Sequence, residues 1–378
     1  MIYRKFQDIM LSGLGLGMMR LPVLDGDNSQ VDKAAAEEII DLAYKGGVNY
    51  FDTAWGYHDG NSELVAGECL SKYPRESFYL ASKFPGYDLS NMDKVEEIFE
   101  KQLEKCQTDY FDFYLFHNVY EGNVDAYLDP KYGILEYLLK QKENGRIRHL
   151  GFSAHGSLEV IKRFLDANGK HMEFCQLQIN YMDWHFQDAK TKVELLQKAG
   201  IPIWVMEPVR GGKLAAASEN LAGLMQKMRP GETVVGWAFR FLQGIPGVTM
   251  VLSGMSDKKQ LEENMKTYQT NEPLTEEEFD ALIQCIDKEV KEGNLPCTSC
   301  HYCTTHCPKG LPIPELIALY NEHKVTGGGF IAPMAVGSMP KEKQPANCIG
   351  CKSCEKVCPQ QIKISEMMAD FSAKLALG

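Results

Sequence analysis

Short apolar runs alternate with amphipathic stretches through the first 290 residues of the chain. Two runs, Phe113–Phe116 and Ile203–Met206, are apolar at every position, which is typical of strands that are covered on both faces. The pattern predicts eight strands: Met10–Met18, Val48–Ala54, Phe78–Lys83, Asp112–His117, Ile147–Ser153, Cys175–Tyr181, Ile201–Glu207 and Val248–Gly254.

Between these runs, apolar residues recur every three or four positions, which is the period of a helix with one buried face. Met92–Cys106, Ile134–Leu139 and Leu158–Leu165 show this period most clearly. Strictly alternating strands and helices imply parallel strands, so eight such pairs predict an α/β fold, a (β/α)8 TIM barrel. A doubly wound open sheet is the alternative. It would use fewer strands and would normally show a glycine fingerprint at the first strand–helix turn.

Three glycines in the first run, Gly13, Gly15 and Gly17, partly resemble that fingerprint. The third glycine comes one residue too early for G-x-G-x-x-G, and the following Arg20–Pro22 does not predict a helix. We therefore expect a strand that a neighbouring backbone or ligand approaches closely, rather than a phosphate loop.

Composition and charge narrow the class of protein. The chain has 378 residues, of which 44% are hydrophobic and 24% charged, as in soluble globular proteins. Its net charge of −11 argues against nucleic acid or an anionic membrane as the main partner, because both attract basic surfaces. No apolar run has the length of a signal peptide at the start or of a membrane span later, so a cytoplasmic location is expected.

Eight of the twelve cysteines lie close together, in two copies of C-x-x-C-x-x-C-x-x-x-C-P. Zinc sites generally use paired C-x-x-C elements, whereas three cysteines at two-residue gaps with a fourth before proline are typical of a [4Fe–4S] cluster. The spacing predicts two such clusters on Cys297, Cys300, Cys303, Cys307, Cys348, Cys351, Cys354 and Cys358. In two-cluster ferredoxins the fourth cysteine of each run binds the other cluster. We therefore expect Cys358 to join Cys297, Cys300 and Cys303 on one cluster. Cys307 should join Cys348, Cys351 and Cys354 on the other.

The cysteine runs predict a second domain. We expect a barrel over residues 1–290 and a small, mainly helical, ferredoxin-like domain over residues 291–378. Within it, Ile313–Tyr320 predicts a helix with proline in its first turn, and Pro333–Pro345 predicts a loop.

Three predicted strands end on residues that can take part in proton transfer, Asp52, Lys83 and His117, and Tyr57 follows in the first of the adjoining loops. Parallel barrel strands bring their C-terminal ends to one rim, where catalytic groups lie. Tyrosine, with a pKa near 10, is a poor acid at neutral pH, but a nearby cation such as Lys83 stabilises its phenolate. Asp52 could position Lys83, and His117 could orient a carbonyl oxygen. The set predicts a proton donor for carbonyl reduction, or a base for alcohol oxidation.

At this point the chain resembles the aldo-keto reductases, over roughly residues 1–290. The matching segments are Phe51–Tyr57 with Asn61–Glu63, Leu80–Lys83, Leu115–His117, Gly151–Ser153, Gln178–Tyr181 and Gln260–Asn264. The resemblance implies a catalytic tetrad of Asp52, Tyr57, Lys83 and His117, with Tyr57 as the general acid. An appended cluster domain also occurs among microbial proteins of this kind, so the resemblance extends over the whole chain.

The resemblance also implies an extended nicotinamide dinucleotide, NADP or NAD, across the barrel mouth. Ser153 and Gln178 match positions that hydrogen-bond the nicotinamide carboxamide, and Asn264 matches a residue at the adenine end. The remaining positions along the dinucleotide are Met206, Gly254 and Gln260.

The chain departs from the family pattern at three positions. Ala154 follows Ser153 where many members have asparagine, and Met206 replaces an aromatic residue that commonly stacks on the nicotinamide. Gln260 stands where NADPH-preferring members often carry arginine, the residue suited to bidentate phosphate recognition. The choice between NAD and NADP therefore stays open.

Three functions are compatible with the two predicted domains. In the first, the barrel reduces a small aldehyde, ketone or quinone with NAD(P)H, or oxidises an alcohol, while the clusters exchange electrons with a redox protein partner. In the second, the protein is an electron carrier or redox sensor whose barrel is a binding module that does not catalyse a reaction. In the third, the clusters are structural. A hydride carries two electrons and a cubane passes one, so a flavin is a further alternative, although no segment is recognisable as a flavin site.

Overall fold

A computed structural model of the chain describes residues 1–297 and 299–376. The chain forms two compact units, of which the first is Met1–Ile283 and the second begins at Gln284. No helix of these described ranges is both long and apolar enough to cross a membrane.

The first unit holds the strands. They are β1 Tyr3–Phe6, β2 Ile9–Ser12, β3 Leu14–Gly17, β4 Tyr50–Asp52, β5 Tyr79–Phe84, β6 Phe111–Val119, β7 Ile147–Ala154, β8 Cys175–Gln178, β9 Ile203–Met206 and β10 Val248–Ser253. Strands β3 to β10 pair in parallel in chain order, and β10 pairs with β3, so the sheet closes into the predicted eight-stranded barrel.

The helices alternate with the barrel strands and continue into the second unit. They are α1 Lys33–Lys45, α2 Ser62–Leu70, α3 Val95–Lys105, α4 Val124–Leu128, α5 Ile134–Glu143, α6 Leu158–Asn168, α7 Asp183–Phe186, α8 Ala189–Lys198, α9 Glu219–Met228, α10 Val234–Gln243, α11 Lys258–Thr267, α12 Glu276–Gly293, α13 Tyr302–Thr305, α14 Ile313–Thr326, α15 Ile331–Gly337 and α16 Ile364–Leu375. Short 3-10 helices lie at Met18–Arg20, Tyr57–Gly60, Arg75–Ser77, Leu89–Asn91, Pro130–Tyr132, Gly169–His171, Arg210–Ala215, Lys341–Lys343, Pro345–Asn347 and Glu355–Val357.

The prediction of a single strand over Met10–Met18 is wrong. Its first part belongs to β2, which pairs antiparallel with β1 in a hairpin, and only Leu14–Gly17 joins the barrel. The hairpin buries Phe6 against Phe113 and Trp204 of the barrel interior, with ring centroids 5.8 and 4.9 Å apart. Hairpin and barrel strand are both apolar, so their hydrophobic pattern shows no break.

At Gly15 on β3 the close neighbours are side chains, and not the backbone or ligand that the sequence predicts. A Cβ atom at this position would lie 2.7 Å from Leu252 Cδ2 and 2.9 Å from Met250 Sδ, both on the paired strand β10. Side chains of the neighbouring strand, rather than a phosphate, therefore occupy the space that glycine leaves.

The second unit is helical in its described part, and its core lies between α14 and α16. The predicted helix at Ile313–Tyr320 is confirmed and continues to Thr326. The predicted loop at Pro333–Pro345 is wrong at its start, because α15 covers Ile331–Gly337. Proline is tolerated in the first turn of a helix, where its missing N–H has no intrahelical acceptor. The burial of Ala332 and Val336 then fixes this short helix on the core.

Candidate functional site

The predicted catalytic residues lie at one rim of the barrel. Asp52 ends β4, and Lys83 and His117 lie near the ends of β5 and β6. Because β4, β5 and β6 are parallel neighbours, these side chains meet at the C-terminal edge of the sheet. Tyr57 begins the 3-10 helix after β4, and the next residue, His58, has a left-handed φ of 52°.

Lys83 is the centre of this group. Its side chain is fully buried, and Nζ donates to Asp52 Oδ1 at 2.5 Å, to the Thr53 carbonyl oxygen at 2.8 Å and to Tyr57 Oη at 3.3 Å. The three donors of the ammonium group are thereby matched with three acceptors. Burial lowers the pKa of Lys83, but attraction to Asp52 and Tyr57 outweighs it and leaves that pKa above its usual value. Burial raises the pKa of Asp52, and Lys83 opposes the rise.

Tyr57 keeps its proton at neutral pH. The surrounding protein raises the pKa of its hydroxyl above 10 by desolvation, and Lys83 acts in the opposite direction. Nζ of Lys83 also lies 4.7 Å from the centre of the Tyr57 ring. The tyrosine therefore rests as an acid beside a cation that stabilises its conjugate base once the proton has left.

His117 faces Tyr57 across the rim. The two ring centroids are 5.9 Å apart with the rings nearly perpendicular, and Tyr87 packs on the imidazole in the same way at 5.1 Å. Burial, together with Lys83 and His155, holds the pKa of His117 well below 6.5, so the imidazole is neutral at pH 7. Its Nδ1 is buried and has no hydrogen-bond partner among the described residues.

The residues assigned to the nicotinamide continue round the same rim. Ser153 is the second-last residue of β7, and its Oγ accepts the N–H of Asn118 at 2.7 Å. Gln178 ends β8, Met206 ends β9, and Gly254 follows β10. Gln178 Nε2 donates to Asp183 Oδ2 at 2.8 Å, and Gln178 Oε1 is buried on the side of His155.

A polar network behind Gln178 was missed in the sequence. Asp183 is fully buried, and its Oδ2 accepts hydrogen bonds from Gln178, Asn180 Nδ2 at 2.6 Å and Arg210 Nε at 3.1 Å. On the other side of Gln178, burial lowers the pKa of His155 to about 4, and a hydrogen bond with Gln178 opposes the fall. The only local signal was the pair Asn180 and Asp183, whose side chains and backbone form a turn after β8.

Three of the predicted cofactor residues line a groove that is open to solvent: Gly254, Gln260 and Asn264. Arg20 and Glu207 lie on its other side, with Arg20 Nη2 3.6 Å from Glu207 Oε1. The structure does not bring Ser153, Gln178 or Met206 into this groove.

Gln260 is held within the groove's own wall. Its Nε2 donates to Asp257 Oδ2 at 2.7 Å, and its Oε1 accepts the N–H of Ser256 at 3.0 Å. Lys258 and Lys259, the cations next to it, lie 3.3 and 3.9 Å from Glu38 and Glu263. Gln260 and the two lysines beside it are thus each paired with a carboxylate of this chain.

The eight clustered cysteines surround two separate cavities. Cavity I is lined by Cys297, Cys300, Cys303 and Cys358. Cavity II is lined by Cys307, Cys348, Cys351 and Cys354. Each cavity thus takes three cysteines from one run and the fourth from the other.

The walls of the two cavities suit iron–sulfur clusters. The apolar walls of both cavities share Ile364, and the N–H of Leu311 points at Cys307 Sγ at 3.5 Å. Backbone donors to sulfur and an apolar shell are what iron–sulfur clusters use.

Comparison with known proteins finds one match in the barrel unit and another in the cysteine-containing unit. Residues 13–287 match the model of the aldo/keto reductase family, and residues 296–363 match that of the 4Fe-4S dicluster domain. An uncharacterized oxidoreductase of Bacillus subtilis, YqkF, is 27% identical over 76% of this chain and 96% of its own length. The NADH-specific methylglyoxal reductase of Escherichia coli is 26% identical over 55% of this chain and 66% of its own length.

Among solved structures, the holo form of the aldo-keto reductase AKR11C1 from Bacillus halodurans matches with a TM-score of 0.62. It is 26% identical and covers 76% of this chain and 96% of its own. The family model spans nearly the whole barrel unit, including the rim where Asp52, Tyr57, Lys83 and His117 meet. The chain belongs to the aldo/keto reductase family, and is an oxidoreductase that carries a 4Fe-4S dicluster domain after its barrel.

Proposed function

We propose that the barrel reduces a small aldehyde, ketone or quinone with NAD(P)H, or oxidises the corresponding alcohol. The observation that carries the proposal is the buried ammonium group of Lys83, hydrogen-bonded at once to Asp52 and to the hydroxyl of Tyr57. A tyrosine that rests protonated beside a cation is suited to give up its proton when negative charge develops on a carbonyl oxygen. The name of the Escherichia coli relative, a methylglyoxal reductase, supports a small carbonyl compound as substrate.

Each rim residue has a distinct part in this reaction. Tyr57 Oη donates the proton to the substrate oxygen, and Lys83 stabilises the phenolate that remains. Asp52 keeps Lys83 charged and in place, since a buried ammonium without a carboxylate would lose its proton. His117, which is neutral, can donate one N–H to the same oxygen and orient it without competing for the proton.

The rim and the groove offer polar groups to a nicotinamide dinucleotide at both of its ends. The bound nicotinamide would supply the hydride. Gln178 Oε1 is available to accept an N–H of the carboxamide, because Asp183 occupies only Gln178 Nε2 and an amide oxygen has two lone pairs, of which His155 uses one. Gly254, Gln260 and Asn264 line the groove in which we place the adenosine half.

We further propose that each cavity binds one [4Fe–4S] cluster through its four cysteines and that the clusters pass single electrons to or from a protein partner. The proposed domains are a barrel over residues 1–290 and a cluster domain over residues 291–378. Cys300 and Cys351, one from each cavity, are exposed. Exposure of a cluster edge favours electron exchange at the surface over a purely structural role.

Replacement of Tyr57 by phenylalanine tests the barrel reaction. The rate of NAD(P)H oxidation with methylglyoxal should fall by roughly 10³-fold, because the general acid is lost, while the dissociation constant of the dinucleotide changes little. Tyr137→Phe, a matched change on α5 where the ring packs on Phe99 of α3, should leave both quantities unchanged. Full turnover by the Tyr57→Phe chain would contradict the assignment, and absence of saturable dinucleotide binding by the natural chain would favour a barrel without turnover.

A further inference from the structure

The two cysteine-lined cavities differ in the charge around them. The side chains that line cavity I, beyond its cysteines, are His301, prolines, isoleucines and Gln360, with no lysine, arginine or carboxylate. Cavity II is lined by Lys309 and Lys352 as well as its cysteines. Both lysines are exposed, so their charge faces solvent at the mouth of the cavity.

Two more lysines extend this positive edge. Lys343 Nζ donates to the carbonyl oxygen of Gly310, the residue after Lys309, at 2.8 Å. Lys356 is exposed on the 3-10 helix Glu355–Val357, which lies between Cys354 and Cys358 of the second cysteine run. Within the described residues, none of the four lysines lies within 4.0 Å of a carboxylate.

Two acidic residues neighbour these lysines: Glu342, exposed beside Lys343, and Glu355, the only carboxylate among residues 348–358, which is bound to Ser365. Glu355 accepts the backbone N–H and the hydroxyl of Ser365, at 2.8 and 2.5 Å, at the start of α16. Beside the lysines, Ile349 exposes 59% of its surface between two cysteines that line the cavity. We name the surface formed by Lys309, Lys343, Ile349, Lys352 and Lys356 the lysine edge.

We propose that the lysine edge is the docking surface for an acidic one-electron carrier protein, a ferredoxin, which exchanges electrons at cavity II. A central apolar side chain ringed by unpaired charges of one sign is how a transient electron-transfer interface combines contact with steering. The chain as a whole has a net charge of −11, so an acidic carrier is repelled by most of the surface and attracted here. One electron passes at each encounter, so that the carrier is oxidised by one electron as the group in cavity II is reduced by one.

The same lysines favour cavity II over cavity I as the point of entry. Nearby positive charge and exposure to solvent make a cluster easier to reduce. Cavity I has no cation in its lining and is therefore the poorer acceptor. This inference depends on the proposed redox role of the clusters.

Binding of a fluorescently labelled acidic ferredoxin to the anaerobically purified, iron-loaded chain tests the docking surface. In 20 mM NaCl, the double variant Lys309→Glu/Lys352→Glu should bind about tenfold more weakly than the natural chain, and 300 mM NaCl should remove most of the difference. The control Lys162→Glu/Lys227→Glu changes two exposed barrel lysines and the net charge equally, and should bind as the natural chain does. Stopped-flow reduction of the chain by the reduced ferredoxin should slow in parallel with the loss of binding.

Other outcomes overturn the proposal. They are unchanged binding by the Lys309/Lys352 variant, equal weakening by the control pair, or capture of the natural chain by anionic phospholipid vesicles with no affinity for ferredoxin. If the double variant loses iron, Lys356→Glu replaces it, because that side chain does not line the cavity. Methylglyoxal reduction is measured on the same samples, so a failure of the barrel proposal appears as lost turnover with ferredoxin binding intact.

Discussion

The barrel and the cysteine unit differ in how their charged side chains are paired and in what forms their cores. In the barrel, buried charges are paired: Asp112 is fully buried and accepts from both Arg75 and Arg148, at 2.7 and 2.8 Å. In the cysteine unit the lysines around cavity II have no carboxylate within 4.0 Å in the described residues, and two of the buried core side chains are Cys303 and Cys354. The barrel can therefore hold its shape by its own contacts, whereas the cysteine unit has a core built partly from the ligands of a cofactor.

The most drastic way to test this difference is to remove the iron. Cys354→Ala should reduce the iron content to half or less. Amide hydrogens of helices α14 and α16 should then exchange more than about 100-fold faster, because metal binding supplies folding energy to small cofactor domains. Barrel amides should keep their protection. Cys175→Ala, a buried barrel thiol, is the control and should keep all the iron. Loss of protection in both units would show that the barrel depends on the clusters.

Replacing Lys83 by methionine tests the barrel unit. The kcat/KM for aldehyde reduction should fall by roughly 10³-fold, and the barrel should lose about 3 kcal/mol of unfolding free energy, because Asp52 is left buried and unpaired. Adding Asp52→Asn should restore most of the stability but none of the activity. The iron content should not change in either variant. Iron loss would show that the stability of the cysteine unit depends on the barrel.

Acid should weaken the barrel through His155. Its folded pKa of about 4 lies below the usual 6.5, so between those values the unfolded chain binds a proton that the folded chain excludes. The stability of the natural chain should therefore fall by about 2 kcal/mol more between pH 7.5 and 4.5 than that of His155→Gln, with His171→Gln as the control. Urea unfolding followed by tryptophan fluorescence measures this in the barrel alone, since Trp55, Trp184, Trp204 and Trp237 all lie there. Equal losses in both chains would mean that His155 does not titrate in this way.

The smallest expected effect concerns the choice of dinucleotide. Gln260→Arg should lower the KM for NADPH about tenfold and leave that for NADH nearly unchanged, because arginine pairs with the extra phosphate. Gln269→Arg, exposed just after α11 and outside the groove, should change neither. No gain with NADPH would mean that the adenosine half does not lie beside Gln260.

The barrel was predictable because its signal is periodic and local. Eight apolar runs separated by helical patterns leave few alternatives, and parallel strands put Asp52, Lys83 and His117 at one rim. The first run was misread because the hairpin strand Ile9–Ser12 and the barrel strand Leu14–Gly17 are equally apolar. The helix Ile331–Gly337 was missed because proline is normally evidence against a helix, except in its first turn.

The polar network behind the site could not be predicted in the same way. Asp183 meets Arg210 across 27 residues of chain, and the contact depends on how two loops after neighbouring strands fold back on the rim. Such contacts leave no periodic trace. The grouping of cysteines around the cavities follows the order known from two-cluster ferredoxins. The lysine edge could not be predicted, because it depends on how the segment between Cys307 and Cys348 folds and brings Lys343 to Gly310. The catalytic and ligand roles themselves remain predictions.

The sharing of cysteines between the two runs also has a consequence for biosynthesis. Cavity I begins with Cys297 and is completed only by Cys358, 61 positions later in the sequence. A ribosome adds roughly 5–20 residues per second, so the first thiols wait on the order of 3–12 s before their last partner exists. Cavity II is completed by Cys354, four positions before Cys358, so both cavities need cysteines of the second run. Cofactor insertion therefore has to follow synthesis of both runs, and a scaffold that donates preformed clusters meets a chain whose barrel has already been made.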